Sequence, residues 1–453
     1  MRFATWQFAT NLQYTLVALL CFANRCAIIK NDFEGYQLTS QSILLTGNDM
    51  KQINQLLQVH GQQRLLSVWD KLSDSERSSL TEQIQSINWD TIDLWKNPED
   101  LSGKGKVQPI DGLSLDDIQH NKDAYARVGV QAIQHGQVGA VLLAGGQGTR
   151  LGSDAPKGAY DIGVTKPLYI FEQLICNLLD VCNQCNAYVP LFVMTSQVND
   201  TATRQFLQQH NYFGYPSSYV RFFQQEMMPS VDFDGQLLLV DNGNLALSPN
   251  GNGGWYSSMD KAGVLRDFPN LAWLNVFAVD NVLQRIADPV FVGATIASGL
   301  NCGAKVVRKN NPYEKVGVLC LEDGMPSVIE YYELTDEMAN QLGQDGNLAY
   351  SFGVILNYLF SLDKLRQILG ERIPVHIVKK KVPHIDENGN FVKPEKENGY
   401  KFETLILDMV RLMGSCLPFE VVRDREFAPI KNKIGVDSVE SARELLERNG
   451  VKL

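Results

Sequence analysis

The stretch that most narrows what this chain can fold into is Val138–Gly158, VGAVLLAGGQGTRLGSDAPKG. The apolar run Val141–Ala144 has the length and β-branched content of a short buried strand. It breaks at once into Gly145, Gly146 and Gly148, a loop able to turn backbone N–H groups onto an anion. Arg150 and Lys157 add fixed positive charge, and Pro156 stiffens the approach to Lys157. Small residues let a phosphate come close and the two cations neutralise it. Together these are the parts needed to grip a nucleoside triphosphate.

Neither common phosphate loop fits. The dinucleotide fingerprint needs a glycine three residues after Gly148, where Leu151 stands. The ATPase loop needs Gly before its Lys and Ser or Thr after it, whereas Lys157 lies between Pro156 and Gly158. The order LAGGQGTRLG followed by PKG resembles instead the signature of the sugar nucleotidyltransferases. It is similar in particular to the eukaryotic UDP-N-acetylglucosamine pyrophosphorylases of the type 1 UDPGP family.

At 453 residues the chain is one large domain with additions, or two to three units. A net charge of −10 disfavours a nucleic-acid surface, so its cations read as local phosphate contacts. The eight cysteines lack the spacing of a secreted module and read as reduced thiols of a cytoplasmic protein. Cys182 and Cys185 form a lone CxxC at the end of a helical pattern with no second pair, which disfavours zinc. The apolar run Thr15–Ala23 after Arg2 is too short to span a bilayer, and Asn24 and Arg25 make a poor signal cleavage site. Related chains start where Met50 falls, so 1–49 reads as an N-terminal extension, disordered or not translated.

Four regions follow. Residues 50–103 carry apolar residues at helical spacing, with Ser73 and Glu76 as a capping box, and form a helical arm packed on the main domain. Residues 104–113 are a linker. Residues 114–400 alternate helix and strand, which predicts an α/β fold whose mixed, mostly parallel sheet is flanked by helices. Asp323-Gly324 predicts a hairpin turn there. Residues 401–453 are a short C-terminal segment. In sheets of this kind ligands sit at the carboxyl ends of the strands, where the glycine loop, Gln225 and Asp280 all fall. The resemblance implies the same fold, the GT-A-like nucleotide-diphospho-sugar transferase.

Asp280 ends the run WLNVFAV and is a natural ligand for Mg²⁺, which prefers hard oxygens and shares its shell with phosphates and water. Gln225 carries an amide that can donate and accept along the edge of uracil. The resemblance extends these readings. It implies UTP contacts at Leu143, Ala144, Gly145, Gly146, Lys157, Gln225, Gly251, Asp280 and Lys401. It implies sugar-phosphate contacts at Asn252, Glu330, Tyr331 and Lys431. Arg150, Lys157 and Lys401 are the implied catalytic cations, Mg²⁺ the implied cofactor and Asp280 its implied ligand. The implied reaction joins UTP and N-acetylglucosamine 1-phosphate into UDP-N-acetylglucosamine and pyrophosphate. The attack is in line, with no covalent intermediate and no partner in nucleic acid or membrane.

Two departures bear on the sugar. Relatives have Gly-Asn where this chain has Gly353-Val354, and aromatic residues where it has Leu405 and Leu407. Val354 cannot hydrogen-bond through its side chain, so that contact is lost or comes from Ser351 or Asn357. A pyrophosphorylase for N-acetylgalactosamine, glucose or galactose 1-phosphate is therefore the near alternative, and a non-catalytic sensor of UDP-sugars the distant one. Relatives also continue into a β-rich tail, so contacts made there are not carried over. The oligomeric state stays open, a monomer being compatible with the sequence.

Overall fold

The computed structural model describes residues 47–453 apart from 70, 97–104, 344–345 and 387. The expected extension 1–49 and the run Thr15–Ala23 therefore lie almost wholly outside the described residues. A ten-stranded sheet forms the body. Its site-bearing half consists of four parallel neighbours, Trp273–Ala278, Val138–Leu143, Leu191–Thr195 and Val220–Gln224. Here the connections are helical crossovers, the geometry a parallel pair requires.

A mixed sheet is what the sequence predicts, but parallel pairing dominates only in this half. The long strand Phe352–Ser361 runs antiparallel to Trp273–Ala278 and to Cys302–Arg308. The hairpin Val318–Glu322 and Met325–Ile329 extends that side, turning at Asp323 and Gly324 with φ of 51° and 79°. Consecutive strands joined by a tight turn can only pair antiparallel. Inside the expected linker, Val107–Gln108 is an edge strand on Val318–Glu322.

The strand at the expected apolar run spans Val138–Leu143, with Val138, Gly139 and Ala140 pairing with Trp273, Leu274 and Asn275, and it ends one residue before Ala144. It is buried from end to end, as a central parallel strand should be. Ala140 and Leu142 pack into one core with helices Leu115–Gln134, Ile170–Cys185 and Pro289–Ser298. Val141 and Leu143 pack into a second core on the opposite face, with helices Trp255–Lys261 and Ile406–Leu412. This is the period-two alternation of a strand covered on both sides.

The arm runs through helices Gly47–Val59, Gln63–Trp69 and Asp74–Gln85, the last opened by the Ser73/Glu76 capping box. Its partner is not the main sheet. Ile53, Leu57, Leu65, Trp69, Leu80 and Ile84 share a core with Val231, Val375 and Phe402 of a small three-stranded sheet. That sheet pairs Val375–Lys380 with Gly399–Thr404 and Val231–Asp232. Gly399–Thr404 crosses the expected boundary at 400/401, and Leu417–Glu420 pairs with Cys302–Arg308 in the main sheet. Cys182 and Cys185 are both buried and free, and the Cys182 thiol lies 3.5 Å from the Tyr215 hydroxyl. Among the described residues no helix is long and apolar enough to cross a membrane.

Candidate active site

The four parallel strands end side by side, and the loops leaving them surround a cleft of about 540 Å³. The glycine loop leaves Val138–Leu143 and Gln225 follows Val220–Gln224. Asp280 follows Trp273–Ala278. Of the residues expected from sequence, the cleft gathers Leu143, Gly145, Gly146, Arg150, Lys157, Gln225, Gly251, Asn252, Asp280, Lys401 and Lys431. Ala144 is buried just behind it, its carbonyl accepting from Asn199.

The glycine loop is fixed by its own backbone and by one side chain. The Gly148 N–H donates to Ala155 O at 3.0 Å and the Lys157 N–H to Gly146 O at 3.2 Å. The Gly148 amide is thus spent inside the loop instead of turning toward an anion as expected. Asn199, 1% exposed, donates from Nδ2 to Ala144 O at 2.9 Å and to Gly146 O at 3.2 Å. Its Oδ1 accepts from the Ser196 N–H and hydroxyl. The sequence reading missed this clamp, because an Asn just before a helical pattern reads only as a cap. Gly145 leaves room for Gln225: a Cβ there would meet Gln225 Nε2 at 2.5 Å, and the amide would have to move aside.

Charge converges on Lys157. Its ammonium lies 3.9 Å from the Asp280 carboxylate. Burial is the largest influence and pushes the Lys157 pKa down; Asp280 opposes this, while Arg150 and Lys431 add to it. Lys401 is lowered too, chiefly by burial and then by Lys380, with Glu403 opposing. Lys401 and Glu403 face the cleft, and Phe402 between them is buried in the arm core. Lys431 is held by Asp437 at 2.9 Å. The Ile430 N–H donates to Asp280 O at 2.9 Å, tying the two cleft edges together.

The loop 250–254 is stitched to the end of Gly399–Thr404. Thr404 donates its N–H to Asn250 O at 2.7 Å and accepts from the Gly253 N–H at 2.9 Å. Gly251 has φ of +83°, and a Cβ there would lie 2.2 Å from Thr404 O. Asn252 accepts the Ile406 N–H on Oδ1 at 2.9 Å, satisfying an orphan amide at the start of helix Ile406–Leu412. Its amide N–H₂ and the second lone pair of Oδ1 are left for a ligand.

Glu330 and Tyr331 do not line the cleft. They follow Met325–Ile329, which two strands separate from Trp273–Ala278. Tyr331 is 39% exposed and packs edge-on against Tyr332. The polar groups expected to stand in for Val354 are also committed elsewhere. Ser351 Oγ accepts from Arg308 Nη1 at 2.6 Å. Asn357 is fully buried and accepts from Asn275 Nδ2 at 2.7 Å. Val354 is buried in the second core, while Leu405 lines the cleft and Leu407 packs behind it.

No group of three or more His, Cys, Asp or Glu is placed to hold a metal ion among the described residues. A single cleft carboxylate such as Asp280 suits a metal that takes most of its oxygens from phosphate and water.

Residues 76–448 match the family model for UTP–glucose-1-phosphate uridylyltransferase. The UDP-N-acetylglucosamine pyrophosphorylase of Saccharomyces cerevisiae is 34% identical over 417 residues, covering 85% of this chain and 87% of that protein. UDP-N-acetylhexosamine pyrophosphorylase-like protein 1 of Xenopus tropicalis is 36% identical over 401 residues, covering 82% of this chain and 78% of that one. Among solved structures, the uridine diphosphate N-acetylglucosamine pyrophosphorylase of Trypanosoma brucei in complex with inhibitor superimposes with a TM-score of 0.75. It is 27% identical and covers 89% of this chain and 85% of that chain. A mutant UDP-glucose pyrophosphorylase of Leishmania major, at 18% identity and a TM-score of 0.57, shares the fold.

Proposed function

The chain belongs to the UTP–glucose-1-phosphate uridylyltransferase family, and from that premise we propose that it makes UDP-N-acetylglucosamine. UTP and N-acetylglucosamine 1-phosphate are the substrates and pyrophosphate the leaving product. The observation that carries this reading is the single cleft that brings the glycine loop, Gln225, Lys157, Asp280 and Lys401 together at the ends of parallel strands. The relatives from yeast and Trypanosoma support the choice of sugar.

In this reading the sugar phosphate oxygen attacks the α-phosphorus in line, and no protein nucleophile is needed. Catalysis is placement plus charge neutralisation. Lys157 neutralises the α-phosphate, and Lys401 approaches it from the opposite wall. Arg150 holds the leaving β,γ-phosphates, and Lys431 takes the sugar phosphate or the product. Gln225 reads the uracil edge. Mg²⁺ is the proposed cofactor, held by Asp280, and when bound it neutralises charge between the phosphates. The cytoplasm is the proposed setting, where UTP is abundant; buried free cysteines support it.

A second reading keeps the chemistry and changes the sugar. Val354 is buried and apolar, and Glu330 and Tyr331 are not among the residues lining the cleft, which favours a looser grip on the sugar. The test is pyrophosphate release from UTP and Mg²⁺ with N-acetylglucosamine 1-phosphate, its galacto epimer and glucose 1-phosphate side by side. Release chiefly with the first supports the main reading. Release chiefly with another moves the specificity, and release with none, while UDP-sugar still binds, leaves a UDP-sugar sensor.

A further inference from the structure

Behind the cleft lies a buried ionic cluster that the proposed mechanism does not use. Lys305, on strand Cys302–Arg308, has 0% side-chain exposure. Its ammonium donates to Glu426 Oε2 at 2.6 Å, to Arg285 O at 3.0 Å and to Asp288 Oδ2 at 3.3 Å. Glu426 also accepts the Arg285 N–H at 3.2 Å. None of these residues lines the cleft. Desolvating such a cluster is costly, and apolar side chains of similar volume hold a fold as well or better. Its presence therefore asks for a reason other than stability.

What the cluster joins supplies one. It bridges the segment that begins at Asp280 to the segment that ends at Lys431. Between the two, Asn281 Nδ2 donates to Glu426 O at 2.7 Å and Asn281 Oδ1 accepts from the Ala428 N–H at 2.9 Å. The Val282 N–H donates to Ala428 O at 3.3 Å and the Ile430 N–H to Asp280 O at 2.9 Å. Lys305 grips one segment by a backbone carbonyl and the other by a carboxylate, and so fixes their register from behind.

We propose that Lys305 and Glu426 are positioning residues for uridylyl transfer, holding Asp280 and Lys431 in register at the cleft. This rests on the uridylyltransferase reading of that cleft. Neither residue touches a reacting atom; each acts through the backbone that carries one that does.

The decisive variant is Lys305→Met/Glu426→Met. It removes both charges at once, so neither is stranded, and Asp288 keeps Arg285 at 3.6 Å. The Arg285 N–H loses its acceptor, so the variant's melting temperature should fall by only a few degrees. Its kcat for pyrophosphate release should fall roughly 10- to 100-fold, with KM for UTP within about twofold. Amide exchange at Val282 and Ile430 should accelerate, while exchange along Val138–Leu143 should not. Wild-type kcat in the folded double variant overturns the proposal, as does unchanged exchange at Val282 and Ile430. A melting temperature lowered well beyond that, with faster exchange everywhere, would make the pair merely structural and also overturn it. The exchange arm needs no turnover. A wild-type enzyme that releases no pyrophosphate would refute the proposed reaction, while the register of the two segments would still be read from exchange.

Discussion

At the scale of single residues the cleft is a set of cations made uncomfortable by burial and waiting for an anion. Lys157 is the clearest case, because desolvation outweighs its distant Asp280 partner. The sign follows directly. In the free enzyme Lys157 and Lys401 lose their protons at lower pH than an ordinary lysine. Bound phosphates favour the charged forms and move both back up. The alkaline limb of kcat/KM for UTP should therefore lie below the ordinary lysine range, and the limb of kcat above it. Lys157→Arg keeps its charge throughout, so its kcat/KM limb should drop from two protons to one; an unchanged slope would assign the limb to other groups. The same burial costs stability wherever both lysines are protonated in the folded and unfolded states. That cost is relieved as pH rises from the folded toward the ordinary value. Removing the charge separates binding from chemistry. Lys157→Ala should lower kcat far more than it raises KM for UTP, and loss of affinity with kcat intact would contradict the assigned role.

At the scale of elements, several site residues serve the fold and the ligand together. Asn252 shows how to separate the two. Its Oδ1 satisfies the Ile406 N–H, so Asn252→Ala should cost about 1 kcal/mol of stability. Asn252→Asp keeps the acceptor and adds favourable charge at a helix start, but loses the amide donor. Its melting temperature should hold while KM for the sugar phosphate rises; an unchanged KM would leave Asn252 a structural residue only. This double use also explains what the sequence made legible. Ser73 and Glu76 announce a helix because a capping box is local chemistry. Gly145, Lys157, Gln225 and Asp280 were legible because strand ends are local and parallel strands bring them together. Asn199 escaped because its partners, Ala144 O and Gly146 O, are backbone groups of a distant loop. Phe352–Ser361 reads as a plain apolar run, and its antiparallel pairing with Trp273–Ala278 is a long-range fact. Glu330 and Tyr331 were carried by resemblance alone, and neither is among the residues that line the cleft.

At the scale of the whole molecule, the arm is coupled to the chemistry through one strand. Along Gly399–Thr404 side chains alternate, so Lys401 and Glu403 reach the cleft while Phe402 is buried against the arm. The arm core thus forms the back wall of Lys401. Leu80, fully buried in helix Asp74–Gln85, lies in that same core and does not line the cleft. Leu80→Ala removes about 2–5 kcal/mol of packing, and the loss falls first on the arm and the small sheet it covers. Amide exchange along Gly399–Thr404 should accelerate, and KM for UTP should rise as Lys401 loosens. Leu178→Ala supplies the comparison. It opens a similar cavity in the first core of the main sheet, on helix Ile170–Cys185. It should lower the melting temperature by a comparable amount and leave KM for UTP unchanged. If both variants shift KM alike, loss of stability alone explains the effect. If only Leu80→Ala does, the arm holds one of the cations that grip the nucleotide, and its place in the architecture is functional as well as structural.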